Sequence, residues 1–200
     1  MNENPILRSN SASMAAPNAQ MSGTRRDLAV MFTDIVDSTP LVAELGDEQW
    51  LRILGWHDAL LRPCFRAHAG VEIKHLGDGF FVVFERACDA LWCAQAIQRT
   101  LAAERQTVNG DLHIRIGIQW APVLQRGCDY VGIGVHEAAR LSKVGPADAI
   151  VMTTSALAAA GVAVPRCQRS MVRLRGQPKP VEVASLRRAG ADDLESLAAL

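Results

Sequence analysis

The sequence predicts an α+β domain, a mainly antiparallel sheet with helices packed on it. Three observations lead there. "DLAVMFTDIV" is an apolar, β-branched run that passes straight into "DSTP", so a buried strand feeds directly into a helix. "VEIKHL" and "FFVVF" flank a turn of Gly77, Asp78 and Gly79, which reads as a hairpin. Strand-like and helix-like stretches then alternate to the end of the chain.

Residues 1 to 26, "MNENPILRSNSASMAAPNAQMSGTRR", are rich in Ser, Asn, Ala and Pro without periodicity, and a disordered leader is expected. The domain is expected over 27–188, beginning with the strand "DLAVMFTDIV", after which Ser38 or Thr39 is available to cap a helix. From Leu41 to His68 apolar residues recur at helical spacing, punctuated by Gly46 and Gly70, which predicts one long helix or two. The hairpin follows, then an amphipathic helix in "ERACDALWCAQAIQRTLAAE" and a strand in "DLHIRIGIQWAPV". "GVHEAARLSK" is a third helix, "AIVMT" a strand and "TSALAAAG" a short helix, and strands near "QRSMVRLRG" and "PVEVASL" finish the domain. The order is a ferredoxin-like βαββαβ core with an additional α-β and a terminal strand pair. Residues 189–200 form a tail whose "ADDLESLAAL" is expected to be a solvated helix.

Two hundred residues, 49% of them apolar, can bury one sizeable core. Twenty-one Lys and Arg against 21 Asp and Glu argue against a bulk nucleic-acid or anionic-membrane binder. Arg169, Arg173, Arg175 and Lys179 do cluster, either as a solvated sheet edge or as a polyanion contact. The five cysteines are odd in number and lack a CxxC spacing, which suggests neither a disulfide framework nor a zinc site. No apolar run approaches the roughly twenty residues of a membrane span. A reduced, cytoplasmic protein is the expectation.

Asp34 ends the first strand where a helix begins, a place whose exposed amides favour an anion. An acid there repels phosphate unless a cation intervenes. Asp34 on a divalent cation, with the amides of Ile35, Val36, Asp37, Ser38 and Thr39 on phosphate oxygens, resolves the conflict; the alternative is that Asp37 or Ser38 merely caps the helix. Asp78, at the tip of a glycine-flanked hairpin, either joins Asp34 around a cation or is an ordinary turn residue. His136 and Arg140 stand four apart on one helix, as a joint site or as surface residues, with Glu137 a candidate ion-pair partner for Arg140.

In this order and spacing "FTDIVDST", "KHLGDGFFVVF", "RIGIQWAPV" and "DYVGIGVHEAARL" resemble the class III nucleotidyl cyclase catalytic domain, the adenylate/guanylate cyclase family, over about residues 27 to 186. The resemblance implies that Asp34 and Asp78, helped by the carbonyl of Ile35, hold two divalent cations, Mg2+ or Mn2+. It implies a phosphorus-oxygen lyase in which the ribose 3′-oxygen attacks the α-phosphorus and pyrophosphate leaves. Lys74 and Asp129 match the base-recognising pair of adenylate cyclases, and their donor-acceptor polarity complements adenine. Arg140 matches the arginine that stabilises phosphate charge in the transition state.

The chain departs from the family at His136, where Asn is usual. Histidine can donate one hydrogen bond but is bulkier and titrates near neutrality. It can substitute in part, point away, or mark a degenerate nucleotide-binding module. Arg175, before Gly176, matches the triphosphate-binding lysine, with Arg173 and Lys179 as neighbouring alternatives. The family arrangement implies a head-to-tail homodimer in which Asp34 and Asp78 of one chain work with Lys74, Asp129 and Arg140 of the other. ATP is the expected substrate, GTP or a pyrimidine triphosphate the alternative. A downstream cyclic-nucleotide effector fits such an enzyme, although no residue identifies one.

Overall fold

A computed structural model of the chain describes residues 23–105, 112–161 and 167–186. Residues 1–22 of the expected leader and the expected tail, 189–200, lie outside the described residues. The elements run β1 (Arg25–Ile35), α1 (Ser38–Leu45), α2 (Asp47–Ala67), β2 (Val71–His75), β3 (Phe80–Phe84), α3 (Ala87–Glu104), β4 (Ile114–Arg126), β5 (Asp129–Val131), α4 (Ile133–Leu141), β6 (Ile150–Thr153), α5 (Thr154–Ala160), β7 (Gln168–Val172) and β8 (Val181–Leu186). Gly46, at φ 76°, divides the predicted helical stretch into α1 and α2. Arg25 and Arg26, expected in the leader, already pair with Leu124 and Val123.

The strands form one eight-stranded sheet in the order β2-β3-β1-β4-β6-β8-β7, with β5 paired to the end of β4. Its first four strands carry the βαββαβ arrangement, in which β1 lies between its antiparallel partners β3 and β4. β4 and β6 pair in parallel, and the other pairs are antiparallel.

Because side chains alternate along a strand, β1 feeds two cores. Ala29, Met31 and Ile35 join Leu61 and Phe65 of α2, Leu91, Ile97 and Leu101 of α3, and Leu157 of α5. Leu28, Val30 and Phe32 turn to the opposite face, where Phe81, Val123 and Ala138 of α4 pack on them. The Phe32 and Phe81 rings stack there with centroids 4.7 Å apart. Burial on both faces explains why β1 reads as a continuous apolar run rather than an alternating one. By the same parity Asp34 belongs to the α4 face.

A third cluster, Leu141, Ala149, Val151, Leu174 and Val183, ties the end of α4 to the loop between β7 and β8. The strand β5 is absent from the sequence reading; it forms because β4 continues to Arg126 and doubles back through Gly127 and Cys128. Among the described residues no helix is long and apolar enough to cross a membrane. All five cysteines are free thiols.

Candidate active site

The hairpin tip is pressed onto the end of β1, and a missing side chain makes this close approach possible. A Cβ on Gly79 would lie 2.0 Å from the Thr33 carbonyl oxygen and 3.5 Å from the Asp34 Cα. The Phe80 amide donates to Thr33 Oγ1 at 2.9 Å, and the Ile35 amide donates to the Asp78 carbonyl at 3.2 Å. Asp34 and Asp78 are therefore carried on two backbone segments fastened to each other. The Ser38 hydroxyl at the start of α1 donates to Asp78 Oδ2 at 2.6 Å.

Asp34 draws positive charge. Arg115, directly opposite it in the β1–β4 register, donates from Nη2 to Asp34 Oδ2 at 3.1 Å, and Lys143 Nζ lies 3.6 Å from Oδ1. Neither cation was foreseen from the sequence. The signal for Arg115 was present in "HIRIGI", where an arginine alternates with isoleucines that all point into the main core.

The first turn of α1 is not capped as the sequence suggested. Asp37 occupies the N-cap in the left-handed region, φ 52°, without a side-chain cap, and the Ser38 hydroxyl is spent on Asp78. Of the amides proposed for an anion, Ile35 donates to Asp78 and Val36 to the His113 carbonyl at 2.9 Å. The Ser38 and Thr39 amides, at the first helical positions, have no acceptor within the helix, and Asp37 precedes them.

Lys74 and Asp129 meet. Lys74 is on β2, at one end of the sheet, and Asp129 opens β5, yet Lys74 Nζ donates to Asp129 Oδ2 at 2.5 Å. Asp129 Oδ1 accepts from the Tyr130 amide at 2.8 Å. The bond from Lys74 holds the Asp129 carboxyl below its ordinary range, and the Tyr130 amide adds to the effect.

α4 buries Gly134, Ala138 and Leu141 and leaves His136 exposed. The Arg140 guanidinium lies against the β7–β8 loop. A Cβ on Gly176, at φ 78°, would sit 3.3 Å from Arg140 Nη2. Arg140 Nη1 is buried with no hydrogen-bond partner. A buried cationic donor without an acceptor is costly unless an anion reaches it. Glu137 is not its ion-pair partner, since its two carboxylate oxygens accept from Gln119 Nε2 and Gln177 Nε2, each at 2.6 Å. Arg175, next in sequence to Gly176, is exposed, as is Arg173, while Arg169 lies on the exposed edge strand β7.

Two carboxylates and a neighbouring carbonyl are hard oxygen donors of the kind Mg2+ or Mn2+ accepts. Among the described residues no group of three or more His, Cys, Asp or Glu is arranged to hold a metal. A cation at Asp34 and Asp78 would complete its shell with oxygens of a ligand or water, as phosphate-bound cations do.

The family model described as "Adenylate and Guanylate cyclase catalytic domain" matches residues 21–184. Curated relatives include "Putative adenylate cyclase 3" of Rhizobium meliloti (strain 1021), 29% identical over 125 residues, which are 62% of this chain and 21% of that protein. "Adenylate cyclase" of Lachancea kluyveri is 28% identical over 177 residues, 76% of this chain and 9% of that protein. The chain thus spans a small part of the curated relatives it matches. Among solved structures, the guanylyl cyclase Cya2 superposes with TM-score 0.75 at 23% identity, covering 84% of this chain and 95% of that one. The adenylyl cyclase CyaB from P. aeruginosa gives TM-score 0.75 at 22% identity, covering 85% of this chain and 98% of that one. With a matching family model across most of its length and the same fold, the chain belongs to the adenylate and guanylate cyclase catalytic domain family.

Proposed function

We propose that the chain converts a nucleoside triphosphate, ATP by preference, to the 3′,5′-cyclic nucleotide and pyrophosphate. The observation that carries this reading is the fastening of the Asp78 turn onto the strand end that bears Asp34. Asp34, Asp78 and the Ile35 carbonyl are the residues that would hold two divalent cations, Mg2+ or Mn2+. When bound, such cations favour the ionised ribose 3′-hydroxyl and neutralise phosphate charge.

In the reaction the 3′-oxygen loses its proton to solvent and bonds to the α-phosphorus, and the bond from that phosphorus to the bridging oxygen breaks, with its electron pair leaving on pyrophosphate. The amides of Asp37, Ser38 and Thr39 are suited to phosphate oxygens. Arg115 and Lys143 pair with Asp34, and with a cation held by that carboxylate they would be available to triphosphate oxygens. Arg140, with a buried and unpartnered Nη1, stabilises charge that develops on phosphate, and Arg175 binds the triphosphate. Lys74 and Asp129 read the base: a Lys donor and an Asp acceptor complement the ring nitrogen and amino group of adenine.

A head-to-tail homodimer completes the site in this reading. Leu76, Val131 and Ile133 are 47%, 37% and 57% exposed within a few residues of Lys74 and Asp129 and give that surface an apolar character suited to a second copy.

The test is incubation of the full chain with ATP, GTP, CTP or UTP and Mn2+, with cyclic products identified by mass and Asp34→Ala as control. Cyclic AMP as main product, lost in Asp34→Ala, is expected. Tight nucleotide binding without product would sink the enzymatic reading and favour a nucleotide-binding module.

A further inference from the structure

Glu137 is the acid that the cyclase reading leaves without a task, and its surroundings give it one. Its carboxylate joins two glutamines from different parts of the fold, Gln119 on β4 and Gln177 in the loop between β7 and β8. Gln119 cannot turn round. Its Oε1 accepts from Thr153 Oγ1 at 2.5 Å and from the Trp120 amide at 3.0 Å, so its Nε2 is obliged to face Glu137. Thr153 is fixed in turn, since its hydroxyl oxygen accepts from the Ala156 amide at 3.1 Å as the cap of α5. A buried chain of groups therefore ends in a carboxylate of fixed orientation, and that carboxylate holds Gln177.

Gln177 closes the loop that carries Arg175. Its amide donates to the Leu174 carbonyl at 3.0 Å, and Leu174, 2% exposed, anchors the other end of the turn in the third core. Between them Gly176 lies against the Arg140 guanidinium. The turn from Leu174 to Gln177 is thus held at one end by apolar packing and at the other by Glu137, with Arg140 packed on its middle.

We infer that Glu137 is a positioning residue: through Gln177 it clamps the Leu174–Gln177 turn onto α4 and so sets Arg140 and Arg175 as one phosphate-facing unit. The inference rests on the cyclase reading for its consequence in catalysis, but the clamp itself is independent of it. Glu137 touches no reacting atom in this scheme. It acts through two arginines, so its removal raises KM for the triphosphate through Arg175 and lowers kcat through Arg140.

Three variants of the full chain test it. Glu137→Leu keeps the bulk and removes both acceptors. Gln177→Leu cuts the clamp on the loop side, where the fold is least at risk. Glu137→Gln retains the clamp, because its amide oxygen can accept from the fixed Gln119 while its NH2 donates to a flipped Gln177. With Mn2+ and ATP, Glu137→Leu and Gln177→Leu are expected to raise KM and lower kcat, together by about tenfold to a hundredfold in kcat/KM, and Glu137→Gln to stay close to the parent. The KM effects of Glu137→Leu and Arg175→Ala should be less than additive, since both act through one loop.

Hydrogen exchange at the Gln177 amide should quicken in Glu137→Leu and not in Glu137→Gln. Affinity for inorganic tripolyphosphate, read by calorimetry, should fall about tenfold in Glu137→Leu. These two readouts need no turnover, so they report on the clamp even if the parent forms no cyclic nucleotide. Parent-like exchange and tripolyphosphate affinity in both leucine variants would overturn the inference, and so would equal loss in Glu137→Gln and Glu137→Leu, which would make charge rather than position the operative feature.

Discussion

Lys74 Nζ and Asp129 Oδ2 stand 2.5 Å apart within one chain, so the two groups proposed to read the base are each other's counter-ion before any base arrives. Both are substantially exposed, and a base that bonds to both exchanges one charge-assisted contact for two. Lys74→Ala is expected to lower kcat/KM for ATP by about tenfold to a hundredfold and to leave GTP turnover unchanged. Parallel kinetics with the two nucleotides checks it. The Asp129 carboxyl is depressed from 3.8, chiefly by Lys74, so the link is fully present above about pH 3.8 and is lost as the pH falls through its lower folded value. Selection of ATP over GTP should accordingly be flat across neutral pH.

Gly79→Ala is expected to destabilise the domain by about 1 to 3 kcal/mol and to remove metal-dependent activity. The added carbon would lie 2.0 Å from a backbone oxygen of β1, and the nearest atoms it meets all belong to the backbone. The hairpin must lift, taking Asp78 away from Asp34. Thermal unfolding and a Mn2+ titration of activity measure the two effects separately.

His136→Asn should raise kcat by about tenfold with little change in KM. The exposed imidazole on α4 is bulkier than an amide, and asparagine supplies a donor in a smaller side chain. A fall in kcat would show that the site is built around the histidine.

Asp148 bridges the end of α3 to the start of β4. Arg105 donates to both its oxygens, and His113 Nδ1 lies 2.7 Å from Oδ2. Burial pushes its carboxyl up, but the Arg105 and His113 bonds outweigh burial and leave it below 3.8. A depressed carboxyl contributes stability above its unfolded value that is lost as the pH falls through the folded one. Asp148→Asn, which tolerates the left-handed φ of 61° at this position, is expected to cost about 1 to 2 kcal/mol at neutral pH. Against the parent in denaturant melts, that difference should begin to shrink below about pH 4 and vanish once the pH is below the folded value.

For His57 burial outweighs pairing with an acid. It is fully buried on α2, its ring 5.6 Å from that of Phe80, and burial lowers its pKa below 6.5 against the opposing bond to Asp58. The unfolded chain then binds the proton first, so stability is full above about pH 6.5 and declines as the pH falls below it. Thermal melts from about pH 8 to pH 5 should show this decline in the parent. His57→Gln, which cannot titrate, should flatten it.

Much of this architecture was legible because it follows from short-range rules. The apolar run ending at Asp34, the Gly-Asp-Gly turn and the helical spacing around Ala138 each specify an element and its register locally, and the four motifs together carried the family. What escaped depends on contacts between distant segments. Arg115 was visible as a charge in an isoleucine strand, but its bond to Asp34 depends on which strands pair. β5 is too short to show periodicity. The Ser38 hydroxyl looked like a cap because caps are local, whereas its acceptor, Asp78, is forty residues away. The pairing of Glu137 with two glutamines could not be read from helical spacing, which offered only Arg140.

The position of each strand in the sheet bears on how such a site can change. Asp34 sits on β1, hydrogen-bonded on both sides, while Lys74 sits on β2 at the margin and Asp129 on a three-residue strand off the main path. Asp34, proposed for chemistry, is built into the interior of the sheet, and the residues proposed for choosing the base are at its periphery. Exchange of these peripheral side chains is therefore expected to alter the proposed substrate preference without disturbing the strand that carries Asp34.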